Sequence, residues 1–294
     1  MMKFYIVDAF TDSPFGGNTA GVVLVENQKD FPEDGVMQQV AAELRYSETA
    51  FVKRLSTTEF QIRYFTPKGE VDLCGHATIA SFHVLWKEGL IEDNNTYINH
   101  TRAETLSVQL TEGKVLMDMA CPKLIKEMRV AKINTELYQV MGLSYEEQLA
   151  KGLTLIPKII TSGLPDIMMP VKDLSDLDAI QPDYEKLVQL SERFYAVGVH
   201  AFTLDGDDAT AHVRNFAPRF GIDEESATGT SNGALTFYGY LEGIIPNGSH
   251  ATFIQGEKMG RPSYIYSTIW VTDSDIKVKV GGDAVVVASG ELMI

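Results

Sequence analysis

The chain has 294 residues, 45% hydrophobic, 22% charged and 10% aromatic, the values of a globular protein with material for two packed cores. Its 25 Lys and Arg against 40 Asp and Glu leave a formal net charge of −15, which repels phosphate backbones and anionic lipid, so no nucleic-acid or membrane partner is expected. Cys74 and Cys121 are too few for a disulfide framework, and no apolar run reaches signal-peptide or membrane-span length, so the expected location is the cytoplasm.

The β-branched and aromatic run Phe4-Tyr5-Ile6-Val7, ended by Asp8, predicts a first strand. The turn residues of Thr11-Asp12-Ser13-Pro14-Phe15-Gly16-Gly17-Asn18 predict a loop, followed by a strand over 21–25. Val36, Val40 and Leu44, with Met37 and Ala41 beside them, recur at helical spacing up to Arg45. Thr49-Ala50-Phe51-Val52 and Phe60-Gln61-Ile62-Arg63-Tyr64-Phe65 read as strands. Leu106, Val108 and Leu110 alternate before Glu112-Gly113-Lys114, and Val115, Met117 and Met119 after it, which is a hairpin pattern. A closing hairpin is expected from Ile276, Val278 and Val280, a turn at Gly281-Gly282-Asp283, then Val285 and Val287.

Two segments, 77–86 and 231–241, read as helices that are apolar nearly all round, and a helix without a polar face is buried on most sides. Strands outnumber helices without a βαβ rhythm. The expected class is therefore α+β, with two sheets, each wrapped barrel-like around its own central α-helix.

The halves repeat each other. Ala50, Phe51, Arg63, Phe65 and Pro67 match Ala201, Phe202, Arg214, Phe216 and Pro218 at one constant offset. Past a short insertion, Gly75, Ala80, Glu88, Gly89 and Ile91 match Gly229, Ala234, Glu242, Gly243 and Ile245. This is a duplication at domain scale. The expected domains are 1–120 and 121–279, with a boundary in 120–132. The closing hairpin finds no counterpart before that boundary, and 280–294 is a candidate to cross back to the first domain.

In each half a strand ending in Arg-x-Phe-x-Pro leads through an acidic loop into a glycine and the apolar helix. Gly75 and Gly229 open those helices, where backbone N–H groups lack partners and the helix dipole favours an anion such as a carboxylate. Facing each other across a pseudo-twofold axis, the two starts would form one cleft; taken singly, they are only tight turns. Glu48, at a strand entry, reads either as a solvated residue or as a general acid/base whose pKa burial would have to raise. Its aligned partner is Val199, which carries no proton. His76, aligned with Thr230, is either a first-turn residue or a donor into the cleft. His83, His100, His200, His212 and His250 form no ligand spacing, so no zinc site is expected, and Asp205-Gly206-Asp207-Asp208 reads as a turn. With no Walker A, Rossmann or Gly-x-Ser-x-Gly pattern, proton transfer without a cofactor remains.

Several segments together resemble the PhzF-like family, the phenazine-biosynthesis isomerases of the diaminopimelate-epimerase-like fold. They are Val7-Asp8-Ala9-Phe10-Thr11, Phe15-Gly16-Gly17-Asn18, Ser47-Glu48-Thr49-Ala50-Phe51-Val52, Phe65-Thr66-Pro67 and Glu70-Val71-Asp72-Leu73-Cys74-Gly75-His76-Ala77-Thr78. Arg214, Phe216 and Pro218, the run Glu224-Glu225-Ser226-Ala227-Thr228-Gly229-Thr230, Gln255-Gly256 and Gly260-Arg261-Pro262 complete the set. The resemblance implies a pseudo-symmetric pair of barrels and a homodimer. It also implies a cofactor-independent isomerase that moves a proton on a small carboxylate-bearing substrate. Glu48 would be the catalytic acid/base, and Asn18, Gly75, His76, Ala77, Glu225, Gly229 and Thr230 the substrate-binding set. This chain departs from the family at Glu225-Ser226, where aspartate-proline or aspartate-alanine is usual, and at Thr230, where serine is usual.

Two other readings stay open. An amino-acid racemase or epimerase of the same fold needs a thiol from each half; Cys74 matches the first, but Ser226 stands at the second. A non-catalytic protein that holds a small carboxylate is the third.

Overall fold

The computed structural model describes residues 2–25 and 30–294. They divide into two compact units, Met1–Asp118 with Gly281–Ile294, and Met119–Val280.

The first unit contains β1 (Met2–Ala9), β2 (Asn18–Leu24), α1 (Asp34–Leu44), β3 (Glu48–Arg54), β4 (Glu59–Phe65), β5 (Glu70–Val71), α2 (Gly75–Lys87), β6 (Asn95–His100), β7 (Thr105–Thr111) and β8 (Lys114–Asp118). In the second lie β9 (Lys123–Glu127), α3 (Ala131–Val140), α4 (Tyr145–Ala150), β10 (Lys158–Thr161), β11 (Pro165–Pro170), α5 (Leu174–Ala179), α6 (Tyr184–Arg193), β12 (Val199–Thr203), β13 (Ala211–Ala217) and β14 (Ile222–Glu225). They are followed by α7 (Gly229–Leu241), β15 (His250–Gln255), β16 (Ser263–Val271) and β17 (Ile276–Gly282), and β18 (Ala284–Leu292) returns to the first unit.

The duplication is visible in the pairing. In the first unit β1–β2 and β3–β4 are antiparallel while β2–β3 and β4–β6 are parallel. In the second, β10–β11 and β12–β13 are antiparallel while β11–β12 and β13–β15 are parallel. Glu48 opens β3 opposite Ala20, and Val199 opens β12 opposite Ile167, so the two positions are equivalent in the fold as well as in the sequence.

Both apolar helices are central. Every residue of α2 from His76 to Leu85 is buried, and α2 packs on β1, β2, β3, β8 and β18. In α7 every residue from Ser231 to Gly239 is buried, against β10, β11 and β16. Each unit also has a further hydrophobic cluster. Met37, Val40 and Ala41 of α1 pack with Val23, Phe51 and Phe65. Leu137, Tyr138, Leu187 and Leu190 of α3 and α6 pack with Val199, Ala201 and Phe216.

The first hairpin forms with a two-residue turn. Glu112 and Gly113 both have positive φ, as the favoured hairpin turn demands, and Lys114 already belongs to β8. The closing hairpin is corrected: β17 runs on through Gly281 and Gly282, and β18 pairs antiparallel with β1 from Ala284 to Leu292. A Cβ on Gly281 would lie 2.0 Å from the Val115 carbonyl oxygen, so the glycine pair serves close strand contact, not a turn. The terminal pair of strands also has a counterpart at the boundary itself. β9 follows β8 and pairs with β10, as β18 follows β17 and pairs with β1. Among the described residues no helix is long and apolar enough to cross a membrane.

Candidate active site

The acidic loops are held by matching ion pairs. Arg63 forks Glu70 (Nε to Oε1 2.7 Å, Nη2 to Oε2 2.8 Å), and Arg214 forks Glu224 (2.8 and 2.9 Å). Bidentate pairing fixes direction as well as distance. The Arg-x-Phe-x-Pro repeat thus ties each strand to the loop that delivers its helix start.

In the first unit the loop between β1 and β2 delivers Asn18. Asp8, buried, accepts from the Phe15 N–H at 2.8 Å and from Thr19 Oγ1 at 2.5 Å. Gly17 has φ of 61°, and a Cβ there would sit 2.1 Å from the Ala9 carbonyl oxygen, so only glycine fits the turn. The Asn18 amide then lies 3.3 Å from His76 Nδ1. From the other side, His76 Nε2 meets Glu48 Oε2 and Ser47 Oγ, each at 3.2 Å. Cys74 Sγ stands 3.5 Å from Nδ1 and 3.9 Å from Nε2. His76 and Cys74 are buried and the Glu48 side chain is 17% exposed. Asn18, Glu48 and His76, separate in sequence, therefore form one constellation, at the first turn of α2 that Gly75 and Ala77 also build. A Cβ on Gly75 would meet nothing nearer than Met117 Sδ at 4.0 Å, so packing does not require glycine there.

The electrostatics differ from expectation. Burial works to raise the Glu48 pKa, but the nearby His76, with Ser47 and Cys74, outweighs it and the carboxyl lies below its ordinary value; the 3.2 Å approach of Oε2 to His76 is a close contact without hydrogen-bond alignment. Burial alone would lower His76; the Cys74 hydrogen bond and the Glu48 carboxylate beside it act to raise the imidazole above its ordinary value. These directions favour a carboxylate facing an imidazolium. Asn18 Nδ2 faces Nδ1 at 3.3 Å, and an imidazolium, which donates from both nitrogens, requires that amide to be turned oxygen-first. Burial, aided by the Glu48 charge, pushes the Cys74 thiol up to about 11, so it stays protonated near neutrality.

In the second unit Gly229 and Thr230 open α7, and Glu225 ends β14 in the loop approach to it. Glu225 Oε2 accepts from Thr228 Oγ1 at 2.8 Å, and the Thr230 carbonyl accepts from Ser162 Oγ at 2.6 Å. Gln255 secures this loop by donating to the Glu225 carbonyl (2.7 Å) and accepting from the Thr228 N–H (3.1 Å). Gly256, with φ of 79°, passes where a Cβ would lie 2.7 Å from the Ser226 carbonyl oxygen.

Residues outside the expected site set also matter. Ser47 and Cys74 complete the His76 surroundings; Ser47 is signalled in sequence by its place in the Ser47-Glu48-Thr49 segment, and Cys74 as the candidate thiol of the racemase reading. Asp166 on β11 is fully buried, accepts from Ser231 Oγ on α7 and from the Gly198 N–H (3.0 Å), and burial pushes it up to about 6. Asn215 links Ser231 (3.2 Å) to His200 Nδ1 (3.1 Å), and burial drops His200 to about 3. An acid inside an otherwise apolar strand, Asp166-Ile167-Met168-Met169, was the available clue.

Residues 7–290 match the model of the family described as phenazine biosynthesis-like protein. The chain is 31% identical to the uncharacterized isomerase YddE of Escherichia coli strain K12, covering 99% of this chain and 98% of that protein. It is 33% identical to an uncharacterized isomerase of Deinococcus radiodurans, covering 99% and 94%. Its fold is similar to the crystal structure of the Bacillus anthracis phenazine biosynthesis protein of the PhzF family, with TM-score 0.87, 26% identity and 100% and 99% coverage. A probable proline racemase from Agrobacterium radiobacter K84 shares the fold at TM-score 0.63, with 12% identity and 100% and 93% coverage.

Proposed function

Because the chain belongs to the phenazine biosynthesis-like family and is an isomerase, we propose that it moves a proton within a small carboxylate-bearing substrate, without a cofactor, using Glu48 as general acid/base. The observation that carries this reading is the largely buried contact of Glu48 Oε2 with His76 Nε2 at 3.2 Å.

The ionised carboxylate is the base that takes a proton from a substrate carbon. The electron pair left on the substrate delocalises toward its carboxylate. As Glu48 becomes neutral it releases its hold on the imidazolium, and His76 can turn its charge to the negative charge developing on the substrate. The protonated Glu48 then returns the proton at a different carbon. Charge within the pocket is conserved throughout, so burial does not oppose the transfer.

Asn18, Gly75 and Ala77 are proposed as further substrate contacts beside this pair, and Glu225, Gly229 and Thr230 as contacts from the second unit, on their match to the family motif. Thr230→Val keeps the β-branched shape and loses the hydroxyl. It is expected to raise KM about tenfold, the worth of one hydrogen bond, with little change in kcat. An unchanged KM would remove Thr230 from the binding set.

A thiol mechanism is the reading to separate from this one. Cys74 is held protonated, and its second-half counterpart, Ser226, carries no thiol. Cys74→Ser should therefore retain most turnover in an isomerisation assay that follows deuterium incorporation from solvent. A loss as deep as that of Glu48→Gln would transfer the proton chemistry to the thiol. The same proposal makes the enzyme a cytoplasmic homodimer, on cysteine usage and on the family resemblance.

A further inference from the structure

We propose that Glu48, Cys74 and His76 also form a binding site for a thiophilic divalent cation, Zn²⁺ above all, whose occupancy shuts the isomerase off. A carboxylate oxygen, a sulfur and an imidazole nitrogen lie within 4.8 Å of one another. Zinc–ligand bonds of about 2.0–2.3 Å in tetrahedral geometry place neighbouring ligand atoms about 3.3–3.6 Å apart. Here Nε2 lies 3.2 Å from Oε2 and 3.9 Å from Sγ, with the carboxylate oxygen and Sγ within 4.8 Å of each other, so side-chain rotation has to close that last gap to bring all three around one centre.

The donor set excludes the common hard cations. Mg²⁺ and Ca²⁺ take oxygen ligands, whereas a sulfur, a nitrogen and a single carboxylate oxygen suit Zn²⁺ or Co²⁺. Three protein ligands leave a fourth position for water. The linear sequence hides the site because Glu48 opens β3 while Cys74 and His76 flank Gly75 at the start of α2. Metal ligation needs the thiol as thiolate and the imidazole neutral, so their protons pass to water, and thiolate and carboxylate together balance the dication.

The binding claim stands on geometry alone; the loss of turnover rests on Glu48 carrying the proton. The test is a titration of the full chain with ZnCl₂ against a chromogenic chelator, with Co²⁺ as spectroscopic probe. One equivalent should bind, and Co²⁺ should show a thiolate-to-metal charge-transfer band. Cys74→Ser should lose the band and weaken Zn²⁺ binding at least about 100-fold, beyond what loss of a supporting outer ligand costs. Cys121→Ser, which removes the exposed thiol, should bind like the parent. Circular dichroism without metal verifies that both variants are folded. A band that survives in Cys74→Ser, or equal Zn²⁺ affinity in parent and Cys74→Ser, overturns the site. One equivalent of Zn²⁺ should also abolish turnover until a chelator is added. Should Zn²⁺ bind as described while turnover continues, the metal site stands and the assignment of Glu48 as proton carrier falls.

Discussion

Glu48→Gln is expected to lower turnover by about 10²–10⁴-fold, the usual contribution of a positioned acid/base, while the protein stays folded. Glutamine keeps the length, the planar head and a hydrogen-bond acceptor for Ser47, but it cannot take up a proton and return it. No second carboxylate stands at the equivalent place to substitute, because Val199 occupies it, fully buried. The structural cost is small for a site this buried. His76 loses the charge that favours its imidazolium, and it can shed its proton where a fixed cation could not. A stability loss of about 1–2 kcal/mol is therefore expected, comparable to one charge-assisted hydrogen bond. Stopped or steady-state turnover, with circular dichroism to verify the fold, checks both halves. Parent-like turnover in the glutamine variant would make Glu48 a structural residue and end the mechanism.

Asp166→Ala is expected to destabilise the protein by about 2–4 kcal/mol at pH 5, because it leaves the Ser231 hydroxyl proton and the Gly198 N–H without their acceptor in a buried place. The loss should be smaller at pH 7.5. Burial holds Asp166 at about 6 in the folded chain, above the ordinary 3.9 expected when unfolded. A raised folded pKa contributes stability that is fully present below about pH 4 and is lost as pH rises through about 6. Between pH 7.5 and pH 5 the parent gains about 1.4 kcal/mol from this group, and the alanine variant gains none. Asp166→Asn should keep most of the stability, accepting from Gly198 and donating to Ser231, and should also lack the pH dependence. Urea unfolding of the three proteins at both pH values measures this. An equal loss at pH 5 and pH 7.5 would mean that Asp166 is ionised in both.

Both predictions concern the same structural need, a correctly held helix start. In the first unit Arg63–Glu70 and the Asp8–Gly17 loop bring Asn18 and the start of α2 to Glu48. In the second, Arg214–Glu224, Gln255 and Asp166 secure the start of α7. The arginine forks are legible as a repeated motif, because a duplicated strand–loop–helix keeps its residue spacing. Asp166 is not legible in that way. Its partners come from α7 and the turn before β12, and no local spacing links them.

What the amino-acid sequence determines by itself follows from periodicity and composition. The all-round apolar segments 77–86 and 231–241 could only be buried helices, since a helix with no polar face gains stability from removing all of its sides from water. The alternation across Glu112-Gly113 could only be a hairpin, because that dipeptide accepts positive φ between strands of period two. The constant offset between halves carried through to identical strand order and to the equivalence of Glu48 with Val199. Tertiary structure decided three other matters. It made Gly281-Gly282 part of a strand, since the close approach of β8 demands the same glycines that a turn would use. It sent β18 to β1, a pairing set by long-range register, which local pattern does not encode. It also lowered the Glu48 pKa where burial alone would raise it, because the sign depends on His76 and Cys74, brought within 4.8 Å by folding of α2 against β3.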